Sequence, residues 1–445
     1  MVFCCALLVV PDARSEARAS SSRQTEPLAC ETFSLSEEAE VGLEIEARSP
    51  GASWKIKGAE AAALRIAVDG EYRQDLLMWA GDEPFTYRVL LGRMPQGNHT
   101  VSVTLDRARS AAGAQRAEVS RLKTIPFYPT RNADGSPAAD ALAISYAPVL
   151  YARANSIDRF TDVPLLMYYQ LERGVEGDTI IRYTAIFSHE DGGTPAAALM
   201  ARWGRATDIE WVYQFRVRSD GRVVEEIYQG VEHQTKTFDG TRAFGQHPLL
   251  AVASDNNNFS ALACSAVRFA PLPFKADLSA GSRETVMDAH PWTYRVMAEE
   301  LQREQRLADS PTDLNTISDP RRYLYIEAYA EQEGTAISFD VEIAGDSRKY
   351  RSDGGDARLR IDRSGFFRSA VRLPAGVSQH SLAAITVRCH RNDKLADMNI
   401  CRRVKFSRVF TLDHGYTPHP LNLTQSDWIT LKAGDSMSVR FARPR

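Results

Sequence analysis

The chain has 445 residues, 44% of them hydrophobic and 25% charged, with a net charge of −3 and six cysteines. That length exceeds one ordinary core and predicts about three domains at roughly 100–200 residues each. The near-neutral balance gives no global electrostatic case for nucleic acid, and no apolar run reaches the ~18–20 residues that span a bilayer.

Phe3-Cys4-Cys5-Ala6-Leu7-Leu8-Val9-Val10 is a short apolar run, and small-x-small sites follow it around residues 15–19. The pattern reads as the end of a secretory signal peptide over residues 1–19, which makes the mature chain secreted or periplasmic. Cys30, Cys264, Cys389 and Cys401 are then an even set in an exported chain, and disulfides are expected. Cys389 and Cys401 bracket a polar, hairpin-like loop and are the favoured pair; Cys30–Cys264 follows only by elimination.

The fold class read from the pattern is mainly β, with three β-sandwich-like domains in tandem. Over residues 30–126, Leu64, Ile66 and Val68 alternate into an Asp69-Gly70 turn, and Phe85, Tyr87, Val89 and Leu91 alternate again. A further run covers His99–Leu105. Period-two runs between Gly/Asn/Asp turns predict an immunoglobulin- or fibronectin-like sandwich. Thr130–Pro137 is a turn-rich linker. The second domain, 140–310, carries strand-like runs at Leu165–Leu171, Thr179–Phe187, Ile209–Val217, Val223–Gln229 and Leu249–Ser254. It closes on one amphipathic helix at about 291–308, opened by Pro291 and stopped by Asp309-Ser310-Pro311. Strands return over 320–445, including Tyr323–Tyr329, Ile337–Ile343, Arg358–Ile361, Ser369–Leu373, Ile385–Cys389 and Ser436–Phe441.

The chemistry concentrates in Tyr183–Phe259. Within Asp208–Phe215 the alternation puts Ile209, Trp211, Tyr213 and Phe215 on one face and Asp208, Glu210, Val212 and Gln214 on the other. Two carboxylates at i, i+2 stand roughly 6.5–7 Å apart, and like charges that close call for a shared cation, an acid/base role or open water. Upstream, Ser188-His189-Glu190-Asp191-Gly192-Gly193 offers carboxylates, an imidazole and tight turns to a hard cation, although such a loop in isolation is more often solvated. Downstream lie Glu232-His233, His247 and Asn256-Asn257-Asn258. Two classes of function stand open: a glycan-binding module with Trp203, Trp211 and Tyr228 as stacking platforms, and a metal-assisted hydrolase using Asp208, Glu210 and His233. A structural envelope protein is a third. There is no P-loop, dinucleotide fingerprint, nucleophile elbow or His-Glu-x-x-His motif to specify an enzyme or a nucleotide or flavin cofactor.

Tyr146-Ala147-Pro148, then Gly204-Arg205-Ala206-Thr207-Asp208-Ile209-Glu210, then Glu232-His233, then Pro248–Ala253 followed by Asn256-Asn257-Asn258 succeed one another along the chain. In that order residues 143–275 resemble the necrosis- and ethylene-inducing-like secreted proteins and, more loosely, the vacuolar sorting-associated family. The resemblance implies a β-sandwich that holds a divalent cation beside a pocket for sugar head groups of membrane lipids. It implies Asp208, Glu210 and an upstream carboxylate, Asp191, as metal ligands. The family's histidine aligns with Arg205, which cannot ligate a metal but could take a cation's place beside the carboxylates. The expected site is therefore Asp191, Asp208, Glu210 and His233 around Ca²⁺, Mg²⁺ or Mn²⁺, with Arg205, Trp203, His189 and Asn257 contacting a glycan or glycolipid head group.

Overall fold

The structure, a computed structural model, describes residues 26–153, 156, 159–174, 177–392, 399–424 and 427–442. The expected signal peptide, with Cys4 and Cys5, lies outside the described residues. The architecture is mainly β, with six sheets in three sandwich-like units and a few short helices. No helix among the described residues is long and apolar enough to cross a membrane.

The first unit has seven strands: β1 (Ala29–Leu35), β2 (Ala39–Arg48), β3 (Ala63–Val68), β4 (Glu71–Leu77), β5 (Phe85–Met94), β6 (Gly97–Asp106) and β7 (Glu118–Phe127). Strands β1-β6-β3-β4 form one antiparallel sheet and β5-β2-β7 the other. Alternation sorts the faces, so Val41, Leu43 and Ile45 meet Leu64, Ile66, Val101 and Val103 in the core. Asp69 and Gly70 both take positive φ (51° and 83°), the geometry that lets a two-residue turn match strand twist.

The second unit begins with α1 (Ala139–Ser145) and β8 (Val149–Tyr151). It continues through β9 (Pro164–Arg173), β10 (Thr179–Phe187), α2 (Ala196–Trp203), β11 (Ile209–Val217), β12 (Val223–Gln229), β13 (Thr235–Thr237), β14 (Arg242–Ala243), β15 (His247–Val252), β16 (Phe259–Ser260), β17 (Arg268–Phe269) and β18 (Phe274–Lys275). A six-stranded sheet, β13-β12-β11-β10-β9-β18, faces a smaller one, β14-β15-β8-β17 with β16 on β15. Two pairs, β8 with β15 and β9 with β18, are parallel.

The alternation expected along β11 is interrupted. Tyr183 pairs with Tyr213 but Thr184 pairs with Trp211, so Val212 is an extra residue opposite β10. A bulge of this kind resets which side chains share a face. Tyr213, Phe215 and Val217 join Val212 in the core between the sheets, whereas Ile209 belongs to the core on the outer face. Trp211 is half-buried, and the single apolar face Ile209–Phe215 is corrected accordingly.

The outer face of the large sheet is covered by α2, by α3 (Thr285–Ala289) and α4 (Trp292–Arg303), and by the third unit. Tyr168, Ile186 and Ile209 pack there with Leu199, Met297, Leu301, Tyr325 and Phe410. Helix α4 ends sooner than its expected 308, because Gln305 turns to φ 60°.

The third unit comprises β19 (Tyr323–Glu333), β20 (Thr335–Ile343), β21 (Lys349–Arg351), β22 (Gly365–Arg372), β23 (Leu382–Arg391), β24 (Ile400–Leu412), β25 (Pro418–Leu421), β26 (Ile429–Lys432) and β27 (Ser436–Arg440). One sheet is β22-β19-β24-β25 with β26 on β24, and the other is β21-β20-β23-β27. The expected strand Arg358–Ile361 begins instead as a helical turn, Ala357–Leu359, because the Asp356 carboxylate accepts the Arg358 amide. Cys389 and Cys401 form a disulfide with a Cα–Cα distance of 6.1 Å that ties β23 to β24 across the two sheets. A loop of that length contributes about 3 kcal/mol in the chain-entropy model, and the bond fits an oxidising compartment. Cys30 and Cys264 are unbridged and exposed, which corrects the pairing reached by elimination. An even cysteine count carries no information about proximity.

Polar groups buried in the first two units bond across their boundary. Trp54 is fully buried and donates its indole N–H to Glu300 Oε2 (2.9 Å) on α4. Trp79 stacks on Trp292 with ring centroids 4.4 Å apart. His247 places Nε2 2.9 Å from Glu40 and Nδ1 2.8 Å from the Ala147 carbonyl, so this histidine is a structural link.

Candidate metal centre

Five carboxylates converge at one end of the large sheet. Asp162 stands just before β9, Glu190 and Asp191 follow β10, and Asp208 and Glu210 open β11. Asp162, Glu190, Asp208 and Glu210 are buried, and Asp191 is partly exposed. The first half of the cluster is Asp162, His189 and Asp191, whose ligand atoms lie within 4.8 Å of one another. The Asp191 amide donates to Asp162 Oδ2 (3.1 Å) and the Thr161 hydroxyl to Asp191 Oδ1 (2.7 Å). Arg153 bonds Asp162 and reaches Asp191 (3.3 Å), with its other arm on Asp255. His189 is fully buried, and its Nε2 has no hydrogen-bond partner among the described residues.

The second half is Asp208 and Glu210. Gln229 donates from Nε2 to Glu210 Oε2 (2.5 Å), and His233 Nδ1 lies 3.8 Å from the same oxygen. His233 is exposed and is steadied by Asn256, whose Nδ2 stands 2.9 Å from its Nε2. The buried Asn257 joins the halves, because Nδ2 donates to Asp208 Oδ2 (3.0 Å) and Asp162 Oδ1 (3.2 Å), while its own Oδ1 has no partner among the described residues.

The charge balance is uneven. Burial, and then the Asp191 charge, push the Asp162 carboxyl well above the ordinary range despite Arg153. Burial and the Asp208 charge raise Glu190 to about 7. Burial likewise raises Asp208 and Glu210, with the neighbouring Glu210 charge the next cause at Asp208. Asp191 goes the other way. Burial opposes its ionisation, but hydrogen bonding from His189 and Thr161 and the Arg153 charge outweigh that and hold it at about 2. Crowded carboxylates whose ionisation is disfavoured in this way are what one more cation would relieve.

Backbone strain sits in the same place. Phe160 (φ 51°) and Asp162 (φ 52°) flank Thr161 in the left-handed region, which a bulky aromatic rarely adopts. Beside Asp191 opens a polar cleft of about 790 Å³ between the first and second units, with Lys57, Arg109, Arg159, Asp255 and Arg306 on its walls.

Of the eight residues singled out in the sequence, Asp191, Asp208, Glu210, His189, His233 and Asn257 come together here. Arg205 does not bond Asp208. It is 2% exposed, donates from Nε to Glu284 Oε1 (3.1 Å), and also bonds the Thr207 carbonyl. Trp203 lines a different pocket, with the Arg202 and Arg363 guanidinium groups 4.8 and 4.9 Å from its ring centre. Sequence reasoning missed Asp162, Arg153 and Gln229. The only signal for Asp162 is a Thr-Asp pair directly before a strand. No protein-family model and no curated protein matches the chain.

Proposed function

We propose that the central unit is a divalent-cation-dependent binding module that presents the ion to a hydroxyl-rich ligand, a glycan or glycolipid head group, in the adjoining polar cleft. The observation that carries this reading is the Asp162–His189–Asp191 group, two of its members buried, whose ligand atoms lie within 4.8 Å of one another, with His189 Nδ1 turned to Asp191 Oδ1 at 4.0 Å. In this reading Asp162, His189 and Asp191 hold the cation, with Arg153 swinging toward Asp255 to admit it. Asp208 and Glu210 stand behind as the reserve of negative charge. A mixed oxygen and nitrogen set suits Mn²⁺ or Zn²⁺ better than Ca²⁺. The resemblance of residues 143–275 to the necrosis-inducing-like proteins points to the same class of function, a cation beside a sugar pocket, but with Asp208 and Glu210 in place of Asp162 and His189 as ligands; the secreted location suggested by the N-terminal run agrees with that class.

The test is metal analysis of the purified protein, followed by calorimetric titration of chelated protein with Mn²⁺, Zn²⁺ and Ca²⁺. Saturable binding that Asp162→Asn and His189→Gln both abolish is expected. Glycan-array binding lost on chelation and restored by the ion is expected to follow. Absence of any ion binding, with Arg153→Gln leaving that unchanged, would overturn the reading. A metal-assisted hydrolase is the second reading. The observation favouring it is Glu190, a carboxyl near pKa 7 and so suited to proton transfer. Release of product from an array-positive glycan would select it.

A further inference from the structure

Between the second and third units lies a pocket of about 380 Å³, walled by Trp203, Ser282, Arg283, Glu284, Arg363 and Phe366, with none of the five clustered carboxylates on its wall. Its wall carries two guanidinium groups and one carboxylate, and Arg283 also feels the charges of Glu210 and Asp208. Arg363 donates from Nη2 to the Arg202 carbonyl, and its guanidinium packs over the Trp203 ring. It forms no ion pair among the described residues, and its buried Nη1 has no hydrogen-bond partner there. Glu284, the one carboxylate on the wall, is already bonded to Arg205, and Arg283 Nε stands 3.8 Å from it. Arg202 is taken by Asp362 at 2.7 Å. Ser282 is 5% exposed, and its hydroxyl makes no hydrogen bond of good geometry.

We propose that this pocket binds a small oxyanion, a phosphate or sulfate group, held by Arg363, Arg283 and the Ser282 hydroxyl against Trp203. Planar guanidinium forks match such oxygens in pairs, and a serine hydroxyl supplies a third donor. The electrostatics agree with this assignment. Burial first, and then repulsion from Arg283, Arg202 and Arg205, bring the Arg363 pKa down to about 10 even with Glu284 nearby. Arg363 thus keeps one buried nitrogen without a partner among the described residues, on the wall of a pocket where guanidinium groups outnumber carboxylates. The trio comes from both sides of the boundary, so a bound anion would also tie the third unit to the second.

The shared chemistry has two sources, a free oxyanion and the phosphate of a lipid head group, and one experiment separates them. Full-length protein is titrated with sodium phosphate and with sodium sulfate against sodium chloride at equal ionic strength, reading the melting temperature. A second arm measures co-sedimentation with phosphatidic acid vesicles and with phosphatidylcholine vesicles. The expected result is a saturable rise in melting temperature with phosphate or sulfate that chloride does not give. Its half-saturating concentration should increase at least tenfold in Arg363→Gln and several-fold in Ser282→Ala. Arg363→Gln also loses the bond to the Arg202 carbonyl and the packing on Trp203, so each variant's anion response is read against its own anion-free melting temperature, and cation binding at Asp162 and Asp191 should be unchanged. Vesicle binding that requires phosphatidic acid and Arg363 assigns the lipid source, and its absence beside a phosphate response assigns the free ion. No saturable response in either arm, or a response that Arg363→Gln leaves intact, overturns the proposal.

Discussion

Glu190→Gln tests the electrostatics of the cluster at its most measurable point. Glu190 is 4% exposed, and its carboxyl is raised from 4.5 to about 7 by burial and then by the Asp208 charge. At about 1.4 kcal/mol per pH unit, ionising it in the fold costs about 3 kcal/mol more than in the unfolded chain. The folded-state pKa lies above the unfolded one, so the folded state binds the extra proton. Its stabilising contribution is complete below about pH 4.5, falls as pH rises, and is gone above about pH 7. Glutamine keeps the oxygen that accepts the Thr194 amide at 2.8 Å and removes the charge. In urea denaturation with chelator present, Glu190→Gln should match the wild-type protein at pH 4.5 and exceed it by about 3 kcal/mol at pH 8. Saturating cation should narrow the pH 8 gap, because the ion neutralises what the mutation removes. A variant no more stable than wild type at pH 8 would refute the charge-crowding argument.

Two further outcomes follow from the packing. Arg368→Met should cost about 3–5 kcal/mol in chemical denaturation, since it takes the buried guanidinium from Glu327 and leaves Asp288 only Arg408 as a charge partner, both of which Arg368 now bonds at 2.7 Å; a loss under about 1 kcal/mol would contradict this. Trp211→Ala should lose less than half of the ~3–5 kcal/mol expected for Tyr213→Ala, because the bulge at Val212 leaves Trp211 half-buried. The reverse order in unfolding midpoints would remove the bulge assignment.

The local pattern was legible wherever it was sufficient. Thr179–Phe187, Ile209–Val217 and Val223–Gln229 were readable to the residue, because period-two alternation and flanking turns agree there. What failed was what depends on a neighbour. The bulge at Val212 is a property of the β10–β11 pair and leaves no mark on β11 read alone. Helices α1 and α2 are seven and eight residues long, too short for a 3.6-residue period to stand out, and Gly204 ends α2 in the left-handed region against the Arg368 side chain. In the site, Asp208 and Glu210 were visible as a spaced pair. Asp162 was not, because Asp191 and Asn257 reach it from two other loops and Arg153 from the far end of its own.

The bond from Trp54 to Glu300 spans 246 residues. At ribosomal speeds of about 5–20 residues per second, the first sandwich waits on the order of 10–50 s for the helix that completes its core. Val267, Phe269 and Val296 also belong to that core, so the nascent sandwich shows an unfinished apolar flank throughout the interval. The chain is therefore most exposed to aggregation mid-synthesis, and synonymous changes that slow translation between the first sandwich and helix α4 should lower soluble yield without altering the finished protein.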